Sequence, residues 1–549
     1  MTNLEIAQIL YQISEILEMK EVSFKPQAYQ RAALSIESLS EDVRDIYKRG
    51  GIKELKEIPG VGESIAKKIE EYIKTGKIKA YEELKKKLPV DIEELSKIPG
   101  LGPKKIKLLY KKLKIKNIKQ LKAAIKKHKL QKIPTLGITT EKNIEEGIKF
   151  AKKSKRTLLG HVQPLAEEIK QQLQSQKFIK RVEIAGSYRR MKETVGDLDI
   201  LAISNKPKQT IDFFTHLKEV KKTIAKGPTK ASVRLKNNLQ IDFRVLPDRE
   251  FGSALQYFTG NKQHNIEVRK IALKKGYTLS EYGLFKKRTK KWIAGRTEEE
   301  IYKKLNMQTP PPEIRTHSGE VEASLKHRLP NLVNYKDVRA DFQMHTKFSD
   351  GNNSIEEMAR EAKRLGHKII AITDHISPMG IVNSLDEKKL KKYAAAVKKA
   401  RKKIPGMKIL IGAEIDINKD GNLTITKPML KQLDFVIAGV HSAFKQSEQV
   451  MTERLLHVLE NYPINALAHP TGRLLNERPG YRFNLEKIFQ KAKDKNIFLE
   501  INASPNRLDL NGELVKIAKE IGCKFCIGTD AHSQDQLRFI HLGTAMARR

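Results

Sequence analysis

From Arg339 onward, the sequence repeats one unit, an apolar strand segment followed by a helical segment. The strand segments are ADFQMHT, KIIAITDH, KILIGAEIDI, FVIAGVHS, INALAHP, IFLEINAS and KFCIGTDAH. A helix between successive strands carries the chain back to the same edge of the sheet, so this alternation predicts parallel strands. Seven such strands with outer helices predict a distorted (β/α) barrel, one strand short of the eight in a TIM barrel.

Most of these strand segments end in histidine or acidic residues. The residues are His345, Asp374, His375, Glu414, His441, His469, Asp530 and His532. Parallel barrels build their active sites at the C-terminal strand ends, so we expect these side chains to converge. A single core histidine is usually structural, but a series of histidines at strand ends favours metal binding. Mixed imidazole and carboxylate ligands suit Zn²⁺ or Mn²⁺, here as a cluster of two or three ions.

The charge balance indicates a polyanionic partner. The chain has 106 Lys and Arg against 65 Asp and Glu, a formal net charge of +41 over 549 residues. Such a surplus is typical of proteins that bind nucleic acid. No apolar run is long enough to span a membrane, and the start, MTNLEIAQIL, is acidic where a secretory signal would be basic. We therefore expect three to four domains, no membrane partner, and a cytoplasmic, nucleoid-associated location.

Before residue 150, a short glycine-rich segment occurs three times between helical patterns. The copies are IPGVG at Ile58–Gly62, IPGLG at Ile98–Gly102 and IPTLG at Ile133–Gly137. They match the helix-hairpin-helix motif, in which glycine permits a positive φ and the next helix presents free N–H groups to a phosphate. We expect Gly60, Gly62, Gly100 and Gly102 to bind DNA through its backbone. Thr135 replaces the first glycine of the third copy, so a plain connecting turn is the alternative there.

Between these regions, the segment GSYRRMKETVGDLDI predicts a nucleotidyl transfer site. Asp197 and Asp199 are two residues apart on a predicted strand, so their carboxylates project from one face. Asp242, in the strand LQIDFRVL, could approach from a neighbouring strand to complete a three-carboxylate site for Mg²⁺ or Mn²⁺. Ser187, before a predicted helix, and Arg190 would bind a triphosphate.

Taken together, these motifs resemble the bacterial and archaeal family X DNA polymerases, in which a beta-like core precedes a polymerase and histidinol phosphatase (PHP) domain. The resemblance implies a multidomain α+β and α/β chain with N-terminal helical helix-hairpin-helix modules, a nucleotidyltransferase-type mixed-sheet palm and the C-terminal seven-stranded barrel. The expected domains are a lyase-like 5′-end-binding domain (1–85), a duplex-binding subdomain (86–150), the palm (151–250), a nucleotide-selecting subdomain (251–314), a linker (315–337) and the PHP domain (338–549).

The resemblance also assigns roles within the polymerase core. It implies that Asp197, Asp199 and Asp242 are the metal-binding triad, and that Asp242 accepts the proton of the primer 3′-hydroxyl. Nucleotide binding falls to residues of two segments. They are Ser187, Arg190 and Gly196 at the triphosphate, with Tyr257 and Phe258 at the sugar, Asn265 at the base edge and Arg269 at the template strand.

At the 5′ end of a gap, Lys25 and Tyr29 match a phosphate pocket, and Lys68 matches the Schiff-base lysine of lyase members. A nucleophilic lysine needs a lowered pKa, and Lys67 adjoins it as a cationic neighbour. However, Ser64 stands where lyase members often have another lysine, and lysines are numerous in this chain. We therefore favour a DNA-contacting role for Lys68 over lyase chemistry.

For the barrel, the resemblance implies a metal set of His345, Asp350, His375, Glu414, His441, His469, Asp530 and His532. The first strand departs from the family, because Gln343 occupies the place of the first histidine of an H-x-H pair. Two outcomes are open: a working 3′–5′ exonuclease or phosphoesterase, or a barrel that only supports structure or holds DNA. Asp374 could orient the ring of His375. Cys523 and Cys526 are expected to be buried and unreactive.

We therefore predict a monomeric DNA polymerase that fills short gaps during DNA repair. Its partners are gapped or primed double-stranded DNA and deoxynucleoside triphosphates, with Mg²⁺ or Mn²⁺ in the polymerase site. Template-independent end addition is disfavoured by Asn265 and Arg269. A DNA-end-binding scaffold with silent active sites is disfavoured by the intact triad.

Overall fold

We describe the protein from a computed structural model. It describes residues 2–549 with the exception of 21, 23, 38–42, 59, 87–89, 96, 97, 99, 100, 134, 135, 138, 139, 142, 143, 146, 147, 149–155 and 378–382. The chain forms two compact units, Met1–Lys155 and Arg156–Arg549. No described helix combines the length and apolar composition needed to cross a membrane.

The first unit is helical. Its described helices are Thr2–Met19, Lys25–Glu37, Val43–Lys56, Glu63–Thr75, Lys79–Lys86, Ile92–Leu95, Pro103–Leu113 and Ile118–Lys126, with a 3-10 turn at Leu130–Lys132. Isoleucine and leucine residues spaced along one face of these helices form a continuous core that includes Ile6, Leu10, Ile65 and Leu109. The lysines whose burial is described in these helices are exposed or partly exposed, which keeps their positive charge available.

The three glycine-rich segments close with equivalent backbone hydrogen bonds. In each, the N–H of the residue before the last glycine donates to the isoleucine carbonyl three residues earlier. The bonds are Val61 to Ile58 at 2.9 Å, Leu101 to Ile98 at 3.0 Å and Leu136 to Ile133 at 2.8 Å. The third copy therefore closes with the same hydrogen bond as the other two, although Pro134 and Thr135 lie outside the described residues.

The second unit begins with a five-stranded mixed sheet in the order β2-β4-β7-β6-β5. These strands are β2 (Ile179–Ile184), β4 (Asp197–Ser204), β5 (Val220–Lys226), β6 (Lys230–Leu235) and β7 (Gln240–Leu246), with helices Leu159–Gln174, Gly186–Arg189 and Pro207–Thr215. The sequence predicted β4 and β7, the strands of the three aspartates. The segment ETVGD before β4 contains a short strand, β3 (Thr194–Val195), which is antiparallel to β1 (Thr157–Leu158).

The next region holds helices Phe251–Thr259, Lys262–Lys274, Glu298–Lys304 and Glu320–Leu325, two 3-10 turns at Asp248–Glu250 and Pro312–Ile314, and a small antiparallel sheet of β8 (Tyr277–Ser280), β9 (Gly283–Lys286) and β10 (Trp292–Ala294). Arg315, at the start of the expected linker, is buried and donates to Glu298 at 2.5 Å and to the Pro310 carbonyl at 2.9 Å. A buried guanidinium without partners would destabilise the fold, so Arg315 depends on these hydrogen bonds. They hold the start of the expected linker against the preceding region.

The C-terminal region is a parallel barrel, as predicted. Its seven principal strands pair in chain order and are β11 (Ala340–Asp341), β12 (Ile369–Ile372), β14 (Lys408–Asp416), β15 (Phe435–Gly439), β16 (Ala466–Leu467), β17 (Phe498–Asn502) and β18 (Phe525–Gly528); β13 (His375–Ile376) also pairs with β14. Bonds such as Phe342 N–H to Ile527 at 3.0 Å and His345 N–H to Ala531 at 2.8 Å join the first strand to the last.

Helices surround this barrel, and polar side chains cap their starts. The helices are Ile355–Arg364, Glu387–Lys403, Lys427–Leu430, Glu448–Asn461, Leu485–Asp494, Gly512–Ile521 and Ile540–Arg548, with a 3-10 segment at Gln534–Phe539. Ser354, Asp386, Ser447, Asn484 and Asn511 each accept a backbone N–H from the first turn of a helix. These side chains accept hydrogen bonds from backbone N–H groups that have no partner within the helix. They thereby define the residue at which each helix begins.

The mixed sheet and the barrel share one hydrophobic core. Leu159 and Val162, from the helix before β2, belong to the same buried cluster as Leu542 and Met546 of the last barrel helix. Gly160 fits closely here, since a Cβ at that position would lie 2.5 Å from Pro505. The two regions are therefore packed together through apolar side chains.

Candidate active sites

The three predicted catalytic carboxylates lie together on the mixed sheet. Strands β4 and β7 are parallel neighbours, and Asp199 pairs in register with Asp242. Asp197 is two residues before Asp199 on β4, so its side chain projects from the same face. Asp197, the first residue of β4, is exposed, whereas Asp199 and Asp242 are half-buried.

Asp199 occupies a confined position. Gly186 has φ +65° and lies so close that a Cβ there would be 2.6 Å from Asp199 Oδ2. Burial, followed by repulsion from Asp197 and Asp242, raises the pKa of Asp199 to about 7. Adjacent carboxylates with no compensating cation raise one another's pKa in this way. This donor set of oxygens fits a hard divalent cation such as Mg²⁺ or Mn²⁺.

The predicted triphosphate ligands lie on the turn between β2 and β4. Gly186 and Ser187 begin the short helix Gly186–Arg189, and Arg190 donates to the Thr259 carbonyl. Arg156 was not predicted from the sequence, but its Nη2 lies 3.5 Å from Ser187 Oγ. A Cβ at Gly196 would lie 2.9 Å from Arg156 Nη1, so glycine leaves room for that guanidinium.

The predicted nucleotide-selecting residues cluster on two helices. Tyr257 and Phe258 pack edge to face at 5.1 Å, and the Arg269 guanidinium lies 5.9 Å from the Tyr257 ring. Asn265 is buried and donates to the Tyr257 carbonyl at 2.7 Å, while accepting from Gln256 at 2.8 Å. The amide of Asn265 is thus already held within the protein.

The predicted 5′-phosphate residues line one groove of the first unit, with a volume of about 840 Å³. The groove is lined by Lys20, Lys25, Tyr29, Gly60, Gly62, Ser64 and Lys68, with Glu83 and apolar residues. Gly60 has φ +86°, as the hairpin motif requires, and Gly62 and Gly102 directly precede helices. Gly100 lies outside the described residues.

Lys68 is held by Ser64, the residue that departs from the lyase pattern. Its Nζ donates to the Ser64 Oγ at 3.0 Å and to the Ser64 carbonyl at 3.1 Å. Lys67, the expected cationic neighbour, pairs with Glu63 at 3.5 Å. The groove therefore offers Lys68 polar partners, and Lys67 is engaged elsewhere.

At the C-terminal end of the barrel, the predicted metal-binding residues converge. Ligand atoms within 4.8 Å of one another form three overlapping groups. The groups are His345, Asp350, His375 and His532; Glu414, His441 and His469; and His345, Glu414 and Asp530. All eight residues of the metal set that the resemblance implies are present, and two of them, His345 and Glu414, are shared between groups.

The spacing within these groups suits metal coordination. Glu414 Oε1 lies 2.9 Å from His469 Nε2 and 3.1 Å from His441 Nε2, and the two imidazole nitrogens are 3.3 Å apart. Tetrahedral zinc with bonds of about 2.0–2.1 Å separates its ligands by about 3.4 Å. His345 is fully buried, and its Nε2 lies 3.2 Å from Asp530 Oδ1 and 3.4 Å from Glu414 Oε2. This donor set therefore fits a cluster of divalent cations.

Burial and neighbouring charges shift the pKa values of the barrel histidines in opposite directions. Burial opposes charge on His441, but Glu414 and Asp416 outweigh it and raise the pKa of His441 to about 10. Burial, with Arg507 adding to it, lowers the pKa of His469 to about 4. Burial works against ionisation of Asp530, yet His345 and Arg507 hold the pKa of that carboxyl well below its usual range. Metal binding requires ionised carboxylates and neutral imidazoles, so a cation bound here would have to displace the proton of His441.

Gln343 is linked through Asn502 to the metal-site residue Asp530. Its side chain is fully buried and its Oε1 accepts from Asn502 Nδ2 at 3.2 Å. Asn502 in turn lies 3.3 Å from Glu500 and 3.2 Å from the metal-site carboxylate of Asp530. Gln343 therefore belongs to a hydrogen-bonded layer beside the cluster, and its Nε2 has no partner among the described residues.

Three supporting residues were missed or misjudged in the sequence. Asp416 accepts from His441 Nδ1 at 2.5 Å and was not singled out, although the E-x-D pattern places it on the same strand face as Glu414. Arg507 lies 3.3 Å from Asp530. Asp374 was expected to orient His375, but it binds the backbone N–H groups of Thr346 and Ser349 at 2.8 and 3.1 Å, and so supports the loop before Asp350.

The two cysteines behave as predicted. Cys523 and Cys526 are buried and not disulfide-bonded. Burial raises the pKa of both thiols, which keeps them protonated and unreactive.

Comparison with known families matches five consecutive parts of the chain. The profiles are "Helix-hairpin-helix domain" at 1–78, "SAM-like Helix-hairpin-helix tandem" at 92–149, "DNA polymerase beta palm" at 160–253, "DNA polymerase beta thumb" at 254–316 and "PHP domain" at 341–504. The tandem profile spans both the second and third glycine-rich segments, which supports the hairpin interpretation of the third over a plain connecting turn.

Fold and sites together define a beta-type nucleotidyltransferase that carries a PHP barrel. DNA polymerase/3'-5' exonuclease PolX of Bacillus subtilis (strain 168) is 35% identical over 549 residues, covering 99% of this chain and 95% of that protein. The chain belongs to the family X DNA polymerases with a C-terminal PHP domain.

The barrel alone has further relatives. A "Probable phosphatase" of Thermoanaerobacter sp. (strain X514) is 33% identical over 204 residues, 35% of this chain and 78% of that protein. A second, from Caldanaerobacter subterraneus subsp. tengcongensis, is 32% identical over 190 residues, 33% of this chain and 70% of that protein.

Proposed function

We propose that this polymerase fills short gaps during DNA repair, with Asp197, Asp199 and Asp242 as its catalytic triad. The single observation that carries the assignment is the register of β4 and β7, which pairs Asp199 with Asp242 and leaves Asp197 on the same face. The helix-hairpin-helix segments hold the flanking duplex through phosphate contacts, so binding weakens steeply as salt rises.

In the proposed reaction, the primer 3′-oxygen attacks the α-phosphorus of the incoming nucleotide and the bond to pyrophosphate breaks. Asp242 accepts the proton of the 3′-hydroxyl, and Ser187 and Arg190 bind the triphosphate. When bound, two divalent cations stabilise the attacking and leaving oxygens. Tyr257 and Phe258 face the sugar, Asn265 the base edge and Arg269 the template. We propose Mg²⁺ or Mn²⁺ as the cation here.

Primer extension tests this assignment. A 5′-labelled primer in a short gap, given deoxynucleotides and Mg²⁺, should lengthen with the wild-type protein. Asp242→Asn should reduce the rate by at least about 10³-fold, because it loses both a ligand charge and the proton acceptor. Its affinity for the gapped DNA should stay within twofold of wild type. Extension by Asp242→Asn at the wild-type rate would overturn the triad.

We further propose that the barrel hydrolyses the primer 3′ end, as a 3′–5′ exonuclease, despite Gln343. The observation behind this is the convergence of eight histidine, aspartate and glutamate side chains at the end of the barrel. The proposed cations are Mn²⁺ or Zn²⁺, two or three in number, and they supply Lewis acidity to the terminal phosphodiester when bound.

The test is incubation of the same labelled substrate with Mn²⁺ and no nucleotides. Shortening that Asp530→Ala abolishes would support hydrolysis in the barrel. An unchanged primer, with extension intact once nucleotides are added, would instead favour the alternative of a structural or DNA-holding barrel.

For the groove around Lys25, Tyr29 and Lys68, we propose 5′-phosphate binding without lyase chemistry. Lys68 is hydrogen-bonded to Ser64, and Lys67 is paired with Glu63. Borohydride treatment in the presence of a 5′-deoxyribose-phosphate end should therefore trap no covalent complex. We retain the domain boundaries given above and a monomeric state as part of the same proposal.

A further inference from the structure

The last barrel helix, Ile540–Arg548, ends against the turn of the mixed sheet that carries the proposed triphosphate ligands. The following residue, Arg549, donates from Nη1 to the Arg190 carbonyl at 3.0 Å. Its own N–H donates to the Ala545 carbonyl at 3.1 Å, which continues the helix. Its Cβ packs on Gly512, where an added Cβ would lie 2.5 Å away. The barrel therefore fixes the position of this side chain.

Four cationic side chains converge on this turn. Arg190 and Lys192 belong to it, Arg156 reaches Ser187 Oγ at 3.5 Å, and Arg549 comes from the barrel. Burial, then repulsion by Arg549 and Arg156, lowers the pKa of Arg190 to about 10. Burial and Arg156 likewise lower the pKa of Lys192. Like charges placed this close repel one another unless an anion lies among them.

The acidic groups nearby offset this charge only in part. Glu193, the carboxylate next to Lys192, is shared between two arginines: it lies 3.7 Å from Arg473, and although burial opposes this, Arg549 and Arg473 together hold the pKa of its carboxyl below the usual range. Glu298 is engaged with Arg189 at 2.6 Å and with Arg315. Asp199 faces the proposed metal site. Arg549 Nε is buried and has no hydrogen-bond partner among the described residues.

We infer that Arg549 of the barrel binds the terminal phosphates of the incoming nucleotide and so completes the polymerase's triphosphate site. The inference rests on the proposed function, since it adds a ligand to the site of Ser187 and Arg190. A guanidinium offers a planar fork of donors that matches phosphate oxygens and keeps its charge at any physiological pH. The nucleotide would thus be bound by residues from both the mixed sheet and the barrel.

The test compares steady-state primer extension by wild type, Arg549→Ala and Arg549→Lys. Arg549→Ala should raise the KM for the nucleotide about tenfold with kcat within twofold, because one charge-assisted phosphate contact is lost. The inhibition constant for inorganic pyrophosphate should rise in parallel. Arg549→Lys should recover part of both constants, since it restores the charge without the planar fork.

Two further variants separate phosphate binding from domain docking. Arg548→Ala, on the same helix, removes a pair with Glu313 at 2.8 Å and should leave both constants unchanged. Gly512→Ala keeps the arginine but displaces it, and should raise the KM as Arg549→Ala does. A KM and pyrophosphate inhibition constant within twofold of wild type in Arg549→Ala would overturn the inference.

Failure of the proposed function would look different. If the wild-type protein itself fails to extend the primer, the polymerase assignment fails. If wild type extends and Asp242→Asn does not, the site assignment stands, and the Arg549 variants alone decide this inference. A loss of kcat in Arg549→Ala with an unchanged KM would indicate positioning of the Arg190 turn and would also overturn it.

Discussion

A proton and a divalent cation compete for the carboxylate of Asp199. Its carboxyl is confined by Gly186 and repelled by Asp197 and Asp242, and its pKa is raised to about 7. The folded protein without metal therefore holds a proton that the unfolded chain releases near pH 4, so its stability falls as the pH rises from about 4 to 7. A divalent cation reverses this penalty, because it binds the ionised carboxylate.

We therefore expect Mg²⁺ to bind the mixed-sheet site more tightly as the pH rises. Below pH 7, affinity should increase up to about tenfold per pH unit, and above pH 7 it should level off, because one proton is displaced. Calorimetric titration at pH 6, 7 and 8 measures this, with Asp199→Asn as the reference for cations bound elsewhere. Affinity that does not change with pH would contradict the proton competition.

Asp416 supports His441 in the barrel through a 2.5 Å contact to Nδ1. We expect Asp416→Asn to weaken Mn²⁺ binding to the barrel about 10–100-fold, because the ring loses its orienting carboxylate. Metal content after dialysis and calorimetric titration measure this, and primer extension should be unaffected. Asp420→Asn, at an exposed position in the following loop, is the matched control. Equal metal content in the two variants would contradict a supporting role.

The sequence predicts direct ligands better than their supports. His345 and Asp530 could be found because a ligand at a strand end has a fixed place in the repeat. Arg507 and Asn502 could not, since their partners lie across the barrel on other strands. The role of Gln343 also depends on tertiary packing: its hydrogen bond to Asn502 joins residues 159 positions apart.

At the scale of elements, the first glycine-rich hairpin holds two glycines in different conformations. Gly60 has φ +86°, and a Cβ there would lie 3.3 Å from the Ala32 backbone nitrogen. Gly62 has φ −86°, and a Cβ there would meet nothing within 4 Å. Only the first position requires glycine on conformational grounds.

Gly60→Ala should therefore destabilise the first unit by about 1–2 kcal/mol, since L-residues disfavour the left-handed region by that amount. Gly62→Ala should cost less, because its backbone lies in the extended region. Urea unfolding followed by circular dichroism measures both. Equal losses in the two variants would contradict the special role of Gly60.

Element prediction worked where a pattern repeated and failed where it did not. The barrel strands follow apolar runs and could be placed from the sequence. Strand β5 (Val220–Lys226) lies at the sheet edge and is almost entirely exposed. Its sequence, VKKTIAK, contains three lysines and no alternation of apolar residues that could be detected. Strand β6 alternates buried and partly buried residues, but its polar side chains masked that pattern.

At the scale of the whole molecule, one core serves the mixed sheet and the barrel. Apolar residues from Leu159 to Met546 form a single buried cluster, whereas the first unit has its own core. We expect calorimetry to show two unfolding transitions, one for residues 1–155 and one for 156–549. A third transition, separating the barrel from the mixed sheet, would contradict the shared core.

Truncation tests the same point. The fragment 156–549 should melt near the temperature at which the second unit melts in the full protein. Chains cut after residue 337 should lose at least about 10 °C in the melting of the remaining mixed sheet, because several kcal/mol of apolar contact is removed. A mixed sheet that melts at the same temperature with and without the barrel would show that the barrel does not stabilise it.

The close fit of Gly160 against Pro505 also limits how the sequence of this protein can diverge. A barrel acquired by recombination would have to match this surface at once, since even one methyl group at Gly160 would lie 2.5 Å from the proline ring. A substitution at Gly160 should consequently be accompanied by a compensating substitution at the barrel residues that it contacts, such as Pro505. The polymerase core and the barrel are thus constrained to evolve as one lineage.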